Sequence, residues 1–122
     1  MESMPSSRPL DRLGEVADNC ERIQRYIGDM DFAAYAADQK TKDAVERCLQ
    51  RISEAATKLG HSLDALYPEV NWKGARGIGN PLRHQYDQIH DADIWDGIVN
   101  DIPQLYHAAM AEIARLKALP ED

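Results

Sequence analysis

The chain has 122 residues, 43% of them hydrophobic and 29% charged, with a net charge of −7. That is the size of one domain with one core, and no run of 18 apolar residues offers a membrane span. The acidic balance argues against broad, unspecific binding to nucleic acid. The only cysteines, Cys20 and Cys48, are too far apart for a CxxC zinc pattern and fall on apolar stripes, so they read as two reduced core thiols.

The opening MESMPSSRP lacks the apolar region of an export signal, which makes the cytoplasm the expected location. Residues 1–8 read as a flexible tail, and residues 9–118 as the single domain. Leu10, Leu13, Val16, Cys20, Ile23 and Ile27 recur every three or four residues and predict a first helix. Ser6 or Ser7 is expected to cap it, Pro9 suits its first turn, and Gly28 suits its end. Phe32 and Tyr35 are expected to plug one end of the core.

Asp38 is the expected N-cap of a second helix, with Thr41, Val45, Cys48, Leu49, Ile52, Ala55, Ala56 and Leu59 on its buried face and Gly60 at its end. Ser62 is expected to cap a short turn that Pro68 stops. A last helical region, starting at Asp91 or Asp93, carries a stripe of Ile94, Trp95, Ile98, Val99, Ile102, Leu105, Tyr106, Ala109, Met110, Ile113 and Leu116. Pro103 lies inside it and should break or kink it near residue 100, with Asp101 as a new N-cap. No useful strand alternation is present. The fold class is therefore all-α, an antiparallel bundle of four to five helices, and pairing with a second copy would complete the burial of so small a bundle.

Residues 74–89, GARGIGNPLRHQYDQI, break this pattern. Gly77, Gly79 and Pro81 are poor helix formers, yet Asn80, Arg83, His84 and Tyr86 crowd together there. Residues 71–90 carry a local charge of +2 in a chain otherwise at −9. Two local solutions stay open: a first turn from Trp72 ending near Gly79, with Asn80 capping a new helix, or one continuous helix kinked at Pro81. Arginine matches phosphate oxygens with its planar fork, and histidine moves protons near neutral pH. Such a cluster suits metal-free RNA cleavage, in which His84 helps the ribose 2′-hydroxyl attack the adjacent phosphate. A metal set of His84, Asp87, His90 and Asp91 has the right helical spacing but no second ligand cluster upstream, so no cofactor is expected.

The ordered set of motifs resembles the HEPN superfamily, and within it the HepT-like toxins. Asp38, Thr41, Ala44-Val45, Arg47, Leu49 and Glu54-Ala55 look like that family's second helix. PEVNW at 68–72 resembles its lead-in, GNPLRHQY at 79–86 its signature with Asn before His-x-Tyr, and IW at 94–95 and DIPQL at 101–105 its last helices. The resemblance implies a helical bundle that dimerises with its motifs facing across the interface. It implies metal-independent cleavage of an RNA substrate by an Arg and a following His, here His84. It also implies a minimal nucleotidyltransferase antitoxin, which in some relatives adds AMP to the tyrosine matching Tyr86.

One position departs from the pattern. Gly79 stands where many relatives have arginine next to the Asn. Arg76 precedes His84 by more than the usual window, and Arg83 is adjacent to it. Three readings follow: Arg76 reaches in because Gly77 and Gly79 bend the backbone, Arg83 serves from the other subunit, or the fold survives as an inactive nucleotide-binding or complex-forming subunit. Arg76 ranks ahead of Arg83 on this reading.

Overall fold

The computed structural model describes residues 8–78 and 91–120. Among these lie six helices: α1 (Pro9–Ile27), α2 (Phe32–Ala36), α3 (Gln39–Leu59), α4 (Trp72–Gly77), α5 (Asp91–Asn100) and α6 (Ile102–Lys117). The class is all-α, as the periodicity predicts. The two short helices α2 and α4 bring the count above the expected four to five. They are too short to show a repeating apolar stripe, which is the signal the sequence reading rests on.

Helix α1 packs against both α3 and α6. The end of α3 and the end of α6 both meet the start of α1, because Pro9 and Leu13 share a cavity lining with Leu59, Leu63, Glu112 and Leu116. At the other end, the Tyr106 hydroxyl near the start of α6 donates to Glu21 late in α1, at 3.0 Å. Both neighbours therefore run antiparallel to α1. Leu13, Val16, Cys20 and Ile23 of α1 interleave with Val45, Cys48, Leu49 and Ile52 of α3 in one core. Both cysteines are free and buried, as predicted, and burial pushes the Cys20 thiol up to about 12.

The helix ends follow local chemistry. Asp38 caps α3 by accepting from the Thr41 amide at 3.1 Å. Gly60 closes α3 with φ +72°, a backbone region that favours glycine. The residue at the α1 N-cap position is Arg8, which makes no side-chain cap bond; Ser6 and Ser7 lie outside the described residues. Pro103 does separate α5 from α6, since it has no amide proton to continue the ladder. Asp101 occupies the expected cap position, but its backbone is αR and its side chain makes no cap bond. Its carbonyl instead accepts from Leu105 at 3.0 Å, so the chain stays nearly helical through the break.

Three further expectations are corrected. Ser62 does not cap a turn: its hydroxyl reaches back 3.5 Å to the Leu59 carbonyl, one of the acceptors left open at the end of α3. Phe32 does not plug the core and is 40% exposed, whereas Tyr35 is fully buried; a five-residue helix has room for one inward side chain. Leu10, Val99 and Met110, read as stripe residues, are also exposed.

The loop from residue 60 to 71 is fastened to α6 by a polar contact that the sequence does not announce. Glu112 is 3% exposed. It accepts from the Tyr67 hydroxyl at 3.0 Å and from the Arg115 guanidinium at 2.8 and 2.6 Å. The Arg115 bonds, then the Tyr67 bond, hold its carboxyl below the ordinary value despite burial. A carboxyl lowered on folding adds stability above its unfolded value and loses it as pH falls through the folded one. Glu112→Gln is therefore expected to lower the melting midpoint by about 3–6 °C at neutral pH, a loss of roughly 1 kcal/mol. Thermal melts from pH 7 downward should show that difference closing with acidification; a gap that stays constant would mean that charge is not what Glu112 contributes.

Candidate functional site

Helix α4 is built by its cap. Asn71 accepts from the Gly74 amide at 3.0 Å and starts the helix. A side chain at 74 would collide with that same Asn71 side chain, so the glycine keeps the cap in place. Trp72, 5% exposed, anchors α4 in the core and donates its indole N–H to the Tyr67 carbonyl at 3.0 Å. The helix runs to Gly77; the choice between a turn ending near Gly79 and a helix kinked at Pro81 lies outside the described residues.

Arg76 is the one predicted catalytic residue inside the described structure. Its side chain is 15% exposed. Its two terminal guanidinium nitrogens grip the Asp64 carboxylate at 3.0 and 2.9 Å, and one of them also donates to the Gly60 carbonyl at 3.0 Å. Its own carbonyl accepts from the buried Ser53 hydroxyl of α3 at 2.8 Å. Bidentate pairing of this kind fixes direction as well as distance. The Arg76 bond, then a weaker contact from His61, holds the Asp64 carboxyl below its usual range. Asn80, Arg83, His84 and Tyr86 lie outside the described residues, as does most of the metal set weighed above. Its remaining member, Asp91, is paired with Lys42 at 3.1 Å, and no cluster of three metal-ligating side chains occurs among the described residues.

The two ends of the unusual segment are thus pinned to α3. Arg76 meets Ser53, and Asp91 meets Lys42. Residues 42 and 53 are 11 apart, which brings them to within about 20° of each other around the helix and roughly 16 Å apart along it. The segment carrying His84 therefore leaves from and returns to one flank of α3. Sequence reading missed Ser53, Asp64 and Lys42. A lone serine near an apolar stripe is the only trace that could have marked one of them.

Beside the return point lies an apolar surface. Phe32 and Trp95 approach at 6.4 Å between ring centres, and Tyr35 and Trp95 at 5.2 Å. Val99, one helical turn past Trp95, is 51% exposed.

The family model described as Ribonuclease HepT-like matches residues 16–112. The chain belongs to the HepT-like ribonuclease family. Among its relatives, a candidate RNase of Methanocaldococcus jannaschii is 35% identical over 91 residues, covering 75% of each chain. A protein of Thermococcus cleftensis named "Probable ribonuclease HepT" is 30% identical over 78% of this chain and 86% of its own. A candidate RNase of Caldanaerobacter subterraneus is 28% identical over 84% of this chain and 89% of its own. No solved structure matches at a significant level. The match spans α1 to α6 and the whole segment between α4 and α5, so the HepT-like likeness covers the core, the pinned ends and the candidate motif together. No helix among the described residues is long and apolar enough to cross a membrane.

Proposed function

We propose that this HepT-like chain is a metal-independent endoribonuclease, the toxin of a toxin–antitoxin pair, working in the cytoplasm and silenced by a minimal nucleotidyltransferase. The family match over residues 16–112 carries this reading, because it encloses the Asn80–Tyr86 cluster and joins the chain to relatives named as ribonucleases. His84 takes the proton from the ribose 2′-hydroxyl. The 2′-oxygen bonds to phosphorus as the bond to the 5′-oxygen breaks, leaving a 2′,3′-cyclic phosphate, and the leaving oxygen takes up a proton. Arginine neutralises the charge gathering on the phosphoryl oxygens, and Asn80 orients the site.

Arg83, rather than Arg76, serves as that arginine. The support is the grip of Asp64 and Gly60 on Arg76: using it in catalysis means breaking a bidentate pair for each turnover. A residue adjacent to His84 points about 100° away on a helix, so Arg83 serves the histidine of a second copy. Phe32 and Val99, both exposed, and the half-buried Trp95 support such pairing, as apolar area beside a site marks an interface. Cleavage of single-stranded RNA in buffer containing EDTA tests the nuclease half of the reading; purified protein that leaves RNA intact under all such conditions counts against it.

The partner half has its own test. Co-expression with a minimal nucleotidyltransferase encoded beside the gene should add one or more adenylyl units, read by intact mass, and Tyr86→Phe should remove them. An unchanged mass would confine regulation to binding. The second reading, an inactive nucleotide-binding or complex-forming subunit, is favoured by one observation: Gly79 stands at the arginine position and the nearest upstream arginine is occupied by Asp64.

A further inference from the structure

Helix α3 has a second flank, away from the pinned segment. Lys40, Arg47, Arg51 and Lys58 are spaced seven, four and seven residues apart. That spacing confines them to an arc of about 40° and spreads them over roughly 27 Å. The arc lies on the side of α3 opposite Ser53 and Lys42, which hold Arg76 and Asp91. Lys40, Arg47 and Lys58 are exposed and Arg51 is half-buried. Helix α1 packs against α3, and its Arg22 adds a fifth cation from across the seam. Cys48 is buried in the core that α1 and α3 share; burial pushes its thiol up, and the charges of Arg22, Arg51 and Arg25 oppose that shift.

The acids of α3 flank this arc, and none lies within it. Asp43, one turn before Arg47, accepts from the Gln39 amide at 2.8 Å. Glu21 is turned to the far side of α1 by the Tyr106 hydroxyl, and Glu15 pairs with Arg12 at 3.4 Å. Glu54 and Asp43 sit at the stripe's border, each about 40° around α3 from the cation one turn later, and Asp18 lies one turn before Arg22 on α1. Arg22, Arg47, Arg51 and Lys58 make no ion pair among the described residues; Arg47 reaches only the neutral Gln50 at 3.3 Å. In a chain of net charge −7, a row of cations that make no ion pair among the described residues is a local concentration of the opposite sign.

We propose that this α1–α3 stripe is a phosphate track for single-stranded RNA, holding nucleotides remote from the cleaved bond. It rests on RNA being the substrate, and it adds a surface that the segment around His84 does not contain. Arginine forks bind phosphate oxygens two at a time, and cations spread along a helix follow a backbone without reading bases. The acidic remainder of the surface repels RNA elsewhere, so the track also orients the strand.

The test uses a labelled single-stranded oligonucleotide with 2′-O-methyl groups, which cannot be cleaved through its 2′-oxygens, so binding is read without turnover. The protein is compared with its Arg22→Gln/Arg47→Gln/Arg51→Gln variant at several salt concentrations, with thermal melts confirming that both are folded. Binding is expected to weaken at least tenfold at low salt. The slope of log affinity against log salt should shrink by about 2, since each phosphate contact to a single strand contributes roughly 0.7. The matching Arg→Lys variant should keep most of both. Unchanged affinity and slope in the folded Gln variant, no binding by the unaltered protein, or equal loss in the Lys variant overturns the track. The two failures separate cleanly: stripe-dependent binding without any cleavage of ordinary RNA sinks the nuclease reading alone, and cleavage with stripe-independent binding sinks the track alone.

Discussion

His84→Ala is expected to reduce RNA cleavage in EDTA by about 10²–10⁴-fold, the range over which a positioned general acid–base group accelerates proton transfer. The expectation comes from chemistry, because a 2′-hydroxyl is a poor nucleophile until its proton is taken, and within residues 79–86 histidine is the side chain that accepts one near neutral pH. Arg83→Ala should lose a comparable factor, with Arg83→Lys recovering part of it, since lysine keeps the charge but not the fork. Melting midpoints of all three variants should stay within a few degrees of the parent. Cleavage that survives His84→Ala unchanged would remove His84 from the mechanism, whatever the family.

The second large effect concerns Arg76. Its side chain ties α4 to the 60–64 turn through Asp64 and Gly60, while its carbonyl is tied to α3 through Ser53. Arg76→Ala leaves the Gly60 carbonyl without this donor and the Asp64 carboxylate with only its His61 contact. The Arg76 side chain is 15% exposed but that of Asp64 is 40% exposed, so water replaces part of what is lost, and the melting midpoint is expected to fall by a few degrees. Asp64→Ala should lower the midpoint in the same direction, and the double variant should be no worse than the poorer single one, because both remove one shared interaction.

The same pair decides what Arg76 does. As a strut at the entrance to the His84 segment, it loses activity in step with Asp64→Ala, and assays well below the melting midpoints recover much of the rate. As the arginine that touches phosphate, it loses activity far beyond Asp64→Ala at every temperature. That second pattern would return Arg76 to the catalytic role and displace Arg83.

Much of the fold was legible in the sequence because long helices repeat. Leu13, Val16, Cys20 and Ile23, and Val45, Cys48, Leu49 and Ile52, are spaced to share a face, and all of them are buried. Asp38, Gly60 and Pro103 act within three or four residues of themselves, so their effects on helix ends could be anticipated. Phe32, Ser62 and Asp101 were read by the same local rules and differ, because a competing arrangement wins at each. Tyr35 takes the inward place on α2, the Leu59 carbonyl takes the Ser62 hydroxyl, and near-helical continuity through residue 101 leaves the Asp101 side chain nothing to cap.

The candidate site divides along the same line. Sequence alone determined the helical class, and it put Asn80, Arg83, His84 and Tyr86, the side chains proposed for phosphate chemistry, next to one another along the chain. Only the tertiary structure decided that Arg76 is held by a carboxylate 12 positions earlier, that the two ends of the segment meet one flank of α3, and that the cations of α1 and α3 gather on the other. Helical periodicity is a property of neighbours three and four apart, whereas an ion pair between residues 64 and 76, or between 42 and 91, leaves no period in the sequence and exists only once the helices have packed.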